Sequence, residues 1–214
     1  MIKQYLEVKN RHSSYLLFYR MGDFYELFFE DAKIASSKLG IALTKRGKLG
    51  DIDIPMCGVP AHSAQTYLSR LINLGYKVAI AEQLEQEEER LELKKHQKIF
   101  KRDVVRIITP GTILDDSLLQ SKNNNHLLSI CFLKGDFSVS WVDMSTGVIK
   151  LQKIIGKNTF NDLYELISKV EPEEIIISEG FEKINLFNSK FNQFKKKITI
   201  VPSGFFVPEN NKEK

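Results

Sequence analysis

The sequence of 214 residues lacks the features of secreted, metal-binding and membrane proteins. Its only two cysteines, Cys57 and Cys131, are far apart and belong to no CxxC or histidine-bearing ligand motif, which predicts free thiols in a reducing compartment. His12, His96 and His126 have no partner at metal-ligand spacing. No apolar run approaches the roughly 20 residues of a membrane span, and the amino terminus has no apolar signal core. We therefore expect a cytosolic globular chain.

The sequence also lacks a large excess of one sign of charge, since the net charge is only +4. The whole excess lies in residues 1–110, whereas residues 111–214 carry equal numbers of basic and acidic side chains. Most surface lysines simply contact solvent, so a small excess does not establish nucleic-acid binding. It does indicate that the first half of the chain is the half better suited to meet phosphate groups.

The hydrophobic pattern predicts a compact α/β unit in the first half. Phe28, Ala32, Ala35 and Leu39 recur at helical spacing up to Gly40, which predicts a helix that ends at a glycine. A second helix is predicted around residues 67–74, and strands are predicted at residues 15–20, 41–44, 52–56, 76–81 and 104–109. Helices that alternate with short strands indicate a mixed sheet.

A second α/β unit is predicted after residues 115–126, a joint with three successive asparagines and no apolar period. Strands are expected at residues 127–133, 137–142 and 148–153, with hairpin turns at residues 134–136 and 145–147. A helix over residues 160–170 and strands at residues 174–178 and 198–201 complete a β-β-β-α-β order. We therefore assign residues 1–114 and 127–214 to the two units, and we expect the second to be truncated at its end.

The most informative motif is the run FYRMGDFYELF at residues 18–28. We interpret it as a glycine, two aromatic residues and a carboxylate at the start of a helix, where side chains can reach a ligand. Three more blocks follow in the sequence: LTKRG at residues 43–47, IPMCGVPAH at residues 54–62 and RIITPGT at residues 106–112. In this order the four blocks resemble the amino-terminal part of the MutS family of DNA mismatch-repair proteins.

The resemblance implies a small mixed-sheet mismatch-binding domain followed by a ribonuclease-H-like connector domain. In this family a Phe-x-Glu pair reads the DNA defect, and the pair matches Phe24 and Glu26 here. The phenylalanine stacks on the mispaired base of a kinked duplex, and the glutamate hydrogen-bonds to that base. Gly22, just upstream, would let the backbone approach the groove. A mispaired step is already poorly stacked, so inserting a ring there costs less than at a normal step.

Packing is the alternative role for this pair. Phe24 precedes Phe28 by four residues and could extend the buried helical stripe, while Asp23 and Glu26 have the spacing of a capping box. The neighbouring blocks, which carry the resemblance, favour mismatch reading. In addition, the residues after Phe24 already supply enough apolar surface for packing.

Basic residues near these blocks are candidates for DNA contact. Lys45, Arg46 and Lys48 are interpreted as cations of one turn, and the resemblance implies phosphate or minor-groove contact for Lys45 and Arg46. Met56 lies where a family residue approaches the groove, with core packing as an equal alternative. Arg106 is the last candidate for backbone contact, although strand alternation favours a solvent-facing side chain.

Two other functions stay open. A ribonuclease-H-like nuclease holds two divalent metals with several carboxylates, and Asp136 and Asp143 are the candidate ligands. The strands predicted at residues 174–178 and 198–201 supply no convincing further carboxylates. The other alternative is a docking module that has lost mismatch reading, and the presence of both Phe24 and Glu26 speaks against it.

No GxxxxGK[ST] phosphate loop occurs in the sequence, so the ATPase of the family, with its ATP and Mg²⁺, is expected outside this chain. We expect a non-enzymatic amino-terminal fragment with no cofactor of its own. The resemblance implies three partners: mismatched or looped-out double-stranded DNA, a MutL-like protein bound by the connector domain, and a second copy in the full-length form. Residues 84–102 depart from the family, because an acidic and then a basic stretch replace a shorter loop with glycine and proline.

Overall fold

Two mixed β-sheets, one in each half of the chain, organise the structure, which is a computed structural model. It describes residues 1–84, 100–113, 125–181, 183–184 and 189–207. The chain divides into a first unit, Met1–Thr109, and a second unit, Pro110–Lys214. Most of the predicted joint at residues 115–126 and most of the divergent segment at residues 84–102 lie outside the described residues.

The first unit is built on a six-stranded sheet. Its elements are α1 (Ile2–Arg11), β1 (Leu16–Met21), β2 (Phe24–Phe28), α2 (Phe29–Leu39), β3 (Thr44–Leu49), β4 (Ile52–Pro60), α3 (Ala64–Asn73), β5 (Val78–Gln83) and β6 (Arg102–Ile108). The strand order is β3-β4-β2-β1-β5-β6. Strands β1 and β5 run parallel, and all other neighbours in this sheet run antiparallel. This arrangement confirms the predicted α/β unit with a mixed sheet.

Helices cover this sheet on both faces. On one face, Tyr5 of α1 packs with Tyr19 and Phe28 in a buried cluster. The alternate residues of β1, including Phe18, are also buried; α2 contacts β1, β2 and β4, and α3 contacts β4 and β5. Buried Asp31 fastens α1 to the sheet, because its carboxylate accepts hydrogen bonds from the Lys9 ammonium and the Leu17 backbone N–H, both at 3.0 Å.

The run at residues 18–28 forms a β-hairpin, so the predicted position at the start of a helix is wrong. Strand β1 ends at Met21, the turn is Gly22-Asp23, and β2 begins at Phe24, whose register partner is Met21. Gly22 adopts φ +59°, a left-handed conformation that glycine reaches without steric cost. Phe24 therefore cannot extend a helical stripe, and Asp23 and Glu26 do not form a capping box.

Helix α2 follows the sequence prediction from its first turn onward. It spans Phe29–Leu39 and buries Ala32, Ala35 and Leu39. Gly40 ends it in the left-handed conformation, at φ 69°, and donates its backbone N–H to the carbonyl of Ser36.

The second unit is built on a five-stranded sheet. Its elements are β7 (His126–Leu133), β8 (Asp136–Asp143), β9 (Ile149–Ile154), α4 (Thr159–Val170), β10 (Glu174–Ser178) and β11 (Ile198–Val201). The strand order is β11-β10-β7-β8-β9. The three consecutive strands β7, β8 and β9 are antiparallel, and β10 and β11 add in parallel beyond β7. This order confirms the ribonuclease-H-like arrangement. Helix α4 packs Leu163 and Ile167 on one face of the sheet.

Both cysteines are free, as predicted, and they lie in different units. Cys57 is buried in β4, and burial raises the pKa of its thiol to about 11, which keeps the thiol protonated at neutral pH. Within the described ranges, no helix combines the length and the apolar composition that crossing a bilayer requires.

Candidate nucleic-acid interface

The β1–β2 turn carries the candidate site and is fastened from two sides. The backbone carbonyl of Asp23 accepts a hydrogen bond from the Ala61 N–H at 2.8 Å, which ties the turn to the residue after β4. Arg20 donates its Nε–H to the Gly22 carbonyl, and its guanidinium lies 5.3 Å from the centroid of the Tyr25 ring. These contacts hold the backbone of the turn in place just before Phe24, the first residue of β2.

Phe24 is the exposed aromatic residue of this hairpin. Its side chain is 48% exposed, whereas the next four residues of β2 are buried. Side chains alternate along a strand, so Phe24, Glu26 and Phe28 point to the same face of the sheet. Phe28 is completely buried in the cluster under α1. This face therefore changes from core at Phe28 to surface at Phe24, and the Phe24 ring is available to a ligand.

Glu26 lies between these two aromatic residues and is only 8% exposed. Its Oε1 forms an ion pair with Arg46, and its Oε2 is buried with no hydrogen-bond partner among the residues that the structure describes. Burial raises the pKa of Glu26, and the positive charges of Arg46 and Arg102 counteract part of that effect. A buried acceptor without a partner typically costs about 1–3 kcal/mol, which makes this oxygen a candidate for a bond with a ligand.

Arg46 reaches Glu26 from a β-bulge. Lys45 pairs with Pro55 and Lys48 pairs with Asp53, so Arg46 and Gly47 together oppose one residue of β4. The interpretation of these cations as a turn is therefore wrong: they lie within β3, and the hairpin turn is at residues 50–51. Gly47 adopts φ +74°, which supplies the left-handed conformation at the bulge.

The other cations of β3, Lys45 and Lys48, are exposed. Every residue of β3 is exposed. Lys45 forms an ion pair with Asp53 at 2.9 Å, and both side chains are substantially exposed, so this pair contributes little to stability. The strand can therefore present its cations to a polyanion.

Gly58 is a site residue to which sequence reasoning gave no role. It is the register partner of Glu26 on β4. A Cβ atom added there would lie 3.7 Å from Glu26 Cγ and 3.9 Å from Phe24 Cδ1. The glycine therefore leaves open the space beside both side chains. Its position in the IPMCGVPAH block was visible, but its partner across the sheet was not.

Arg102 is a second residue that the sequence did not identify. It is 7% exposed, and its guanidinium lies 5.4 Å from the centroid of the Tyr19 ring. Its Nε–H donates to the Arg20 carbonyl at 2.6 Å, which supports the end of β1. Tyr19 is the register partner of Glu26, so Arg102 adds positive charge on the β1 side of the carboxylate.

The remaining predicted contacts lie apart from this cluster. Met56 is half-buried against the core under α1, two residues from Gly58, so packing accounts for its position. Arg106 is exposed on β6, the opposite edge strand from β3. The structure thus groups Gly22, Phe24, Glu26 and Arg46 and leaves Arg106 elsewhere; DNA contact by each of them stays a prediction.

Replacing Glu26 by glutamine is expected to stabilise the first unit at neutral pH. Burial holds the pKa of Glu26 above its ordinary value of 4.5, so the folded state binds the proton more tightly than the unfolded state. Ionised Glu26 therefore costs stability above this pKa, and the cost disappears as the pH falls through it. Urea unfolding should show the largest advantage of Glu26→Gln near pH 7 and a shrinking advantage toward pH 4.5. An advantage that is constant with pH contradicts this assignment.

The carboxylates considered for a nuclease are not brought together. Asp136 begins β8 and Asp143 ends it, so the length of a strand separates them. Asp143 caps the following turn by accepting hydrogen bonds from the hydroxyls of Ser145 and Thr146. These bonds hold the pKa of Asp143 low, at about 2. In the part of the chain that the structure describes, no group of three or more potential metal ligands occurs.

Comparison with known proteins identifies relatives for nearly the whole chain. Residues 1–117 match the family model of MutS domain I, and residues 125–214 match the model of MutS domain II. The DNA mismatch repair protein MutS of Wolbachia pipientis wMel is 45% identical over 205 residues, which are 96% of this chain and 24% of that protein. The MutS proteins of Ehrlichia chaffeensis (strain Arkansas) and Rickettsia africae are 42% and 44% identical over 96% and 97% of this chain. The chain spans about a quarter of the length of these relatives.

Proposed function

The chain belongs to the MutS family, and from this premise we propose that its first unit recognises mispaired or looped-out bases in double-stranded DNA. Phe24 inserts at the defect and stacks on the mispaired base. Glu26 forms a hydrogen bond with the same base. The observation that carries the proposal is the exposed Phe24 ring on the same strand face as the unpartnered Oε2 of Glu26.

The Phe24 ring suits the role of a wedge. Apolar side chains inserted between base steps unstack and kink a duplex, at a cost of about a few kcal/mol per step. A mispaired or looped-out base has already lost part of its stacking, so the same insertion costs less there. Because the Phe24 ring is half-exposed and directly follows a turn that a backbone hydrogen bond ties to Ala61, it can enter a base step without unfolding the sheet.

Glu26 suits the role of a selective hydrogen-bonding group. A carboxylate in the groove of a polyanion is unfavourable unless it meets a base N–H or takes up a proton. Its Oε2 has no hydrogen-bond partner among the described residues and can accept from a base N–H. The raised pKa of Glu26 also brings its protonated form, which can donate to a base acceptor, closer to neutral pH.

The exposed cations of β3 suit non-specific attachment. Lys45, Arg46 and Lys48 lie on a fully exposed strand. Contacts with phosphates position a protein on DNA without reading its sequence, as a protein that must scan any duplex requires. We assign these side chains, with Gly22 at the turn, to the DNA backbone or the groove.

We make three further proposals that follow from the family. The second unit docks a MutL-like protein, the full-length form is a homodimer, and ATP with Mg²⁺ acts in regions of the relatives that this chain does not match. This chain then has a binding role rather than a catalytic one, in the cytoplasm where the chromosome lies. A docking module without mismatch reading is the second candidate function.

A comparison of binding to three duplexes tests the proposed function. The duplexes are identical except for a single mispair, a single looped-out base or a full match. Binding is measured with this chain and with a chimera, a full-length MutS relative in which this chain replaces the matching quarter. We expect both proteins to bind the two defective duplexes more tightly than the matched duplex. Equal affinity of the chimera for all three duplexes would instead support the docking module.

A further inference from the structure

We propose that Arg46 is a positioning residue for Glu26: it engages the carboxylate through Oε1 and leaves Oε2 as the oxygen that bonds with the base once the duplex is bound. Arg46 thereby contributes to mismatch discrimination, whereas the adjacent Lys45 contributes only to overall affinity. This inference rests on the proposed function, since it assigns Arg46 a role in the same site.

The geometry of the pair carries this inference. The ion pair joins β3 to β2 across β4, between residues 20 positions apart in the sequence. Among the described residues, only Arg46 engages the carboxylate, through Oε1, and Oε2 is buried without a hydrogen-bond partner. A guanidinium N–H is a directional donor, so this single bond from Arg46 Nη1 to Oε1 favours one orientation of the Glu26 side chain. Without it, the Glu26 side chain can rotate and expose either oxygen to solvent.

The β-bulge explains why Arg46, rather than Lys45, has this role. Lys45 occupies a regular pair with Pro55 and its ammonium contacts Asp53. Arg46 is one of two residues that oppose a single residue of β4, and bulges re-aim side chains in this way at functional sites. Two adjacent cations of β3 therefore have different partners, one inside the site and one outside it.

The charges around Glu26 give Arg46 a second effect on the carboxylate. Arg46 of β3 and Arg102 of β6 are the cations that lower its pKa against the effect of burial. On β1 and β4 it faces Tyr19 and Gly58, which add no charge at neutral pH. The side chain of Arg46 is 42% exposed, whereas Arg102 is buried and bonded to backbone carbonyls. Arg46 is therefore the cation that can be removed without opening the core.

The experiment compares Arg46→Ala, Arg46→Lys and the control Lys45→Ala. Carboxyl-carbon NMR of this chain, without DNA, should show a higher pKa of Glu26 in Arg46→Ala and an unchanged pKa in Lys45→Ala. In the chimera, Arg46→Ala should reduce the ratio of mismatched to matched affinity by about tenfold, the scale of a lost hydrogen bond to a charged group. Lys45→Ala should weaken both duplexes equally and lower the salt slope by about 1. Arg46→Lys, which keeps the charge, should restore part of the ratio.

A double variant separates positioning from phosphate contact. In the Glu26→Ala background, Arg46→Ala should lower overall affinity and leave the discrimination ratio unchanged, because there is no carboxylate to position. A further drop of the ratio in that background would overturn the proposal. So would an unchanged pKa of Glu26 together with an unchanged ratio in Arg46→Ala. The proposed function is tested separately: the unmodified chimera should prefer the mismatched duplex, and its Glu26→Ala variant should lose that preference. Where both hold, each of the two contrary results above refutes only the role of Arg46.

Discussion

Replacing Phe28 by alanine is expected to lower the free energy of unfolding of the first unit by about 3–5 kcal/mol, the usual cost of deleting a buried phenylalanine ring. Phe28 is completely buried and contacts the Tyr5 ring at a centroid distance of 4.9 Å. The variant leaves a cavity between β2 and α1, two elements that the packed core holds rigidly. Urea unfolding followed by circular dichroism measures the change.

Phe24→Ala is the matched control, because it removes the same ring from the same strand face. Phe24 is 48% exposed, so much of its surface is already in water and its removal leaves no closed cavity. We expect a much smaller loss of stability than for Phe28→Ala. A loss as large as that of Phe28→Ala would make Phe24 a structural residue and would remove the physical basis for its role as a wedge.

The sequence predicts the elements of this fold where the signals are local. The end of α2 at Gly40 and the hairpin turn at Lys134-Gly135 each depend on a few adjacent residues. Both turn residues have positive φ, 54° and 94°, as tight hairpins that follow the strand twist require. The core of α2 is equally readable, because apolar residues recur every three or four positions.

The placement of Phe24 could not be read in the same way. Residues four positions apart lie on one side of both a helix and a strand, so the spacing of Phe24 and Phe28 fits either structure. Here β2 ends at Phe28 and α2 begins at the next residue. The apolar spacing of the strand is therefore followed directly by that of the helix, with no polar residue to mark the boundary. The alternative interpretation, in which Phe24 extends a helical stripe, is therefore right about the shared face and wrong about the element.

The pairing of Arg46 with Glu26 depends on information that is not local. It requires the strand order β3-β4-β2 and the bulge that brings Arg46 to the face of Glu26. Gly47 signals a backbone with positive φ, but a tight turn and a bulge both satisfy that signal. The open space at Gly58 was hidden for the same reason, since only the register places this glycine opposite Glu26.

Replacing Phe24 by alanine is expected to remove most of the preference for a mispair while the affinity for matched DNA changes little. Stacking of a base on an aromatic side chain contributes about 1–3 kcal/mol, and the proposed function assigns this stack to the defect alone. In a matched duplex the ring must first separate two normally stacked base pairs, and this cost offsets most of the free energy of stacking the ring on a base. Phe24→Leu is the control for bulk, because it keeps an apolar side chain without an aromatic face.

The coupling free energy between Phe24 and the mispair shows whether this ring reads the defect. The unmodified chimera and its Phe24→Ala variant each bind two duplexes that differ by one base, and the four dissociation constants give the coupling. We predict about 1–3 kcal/mol, the contribution of one base–aromatic stack. A coupling of zero, with both duplexes losing affinity equally or not at all, contradicts the account.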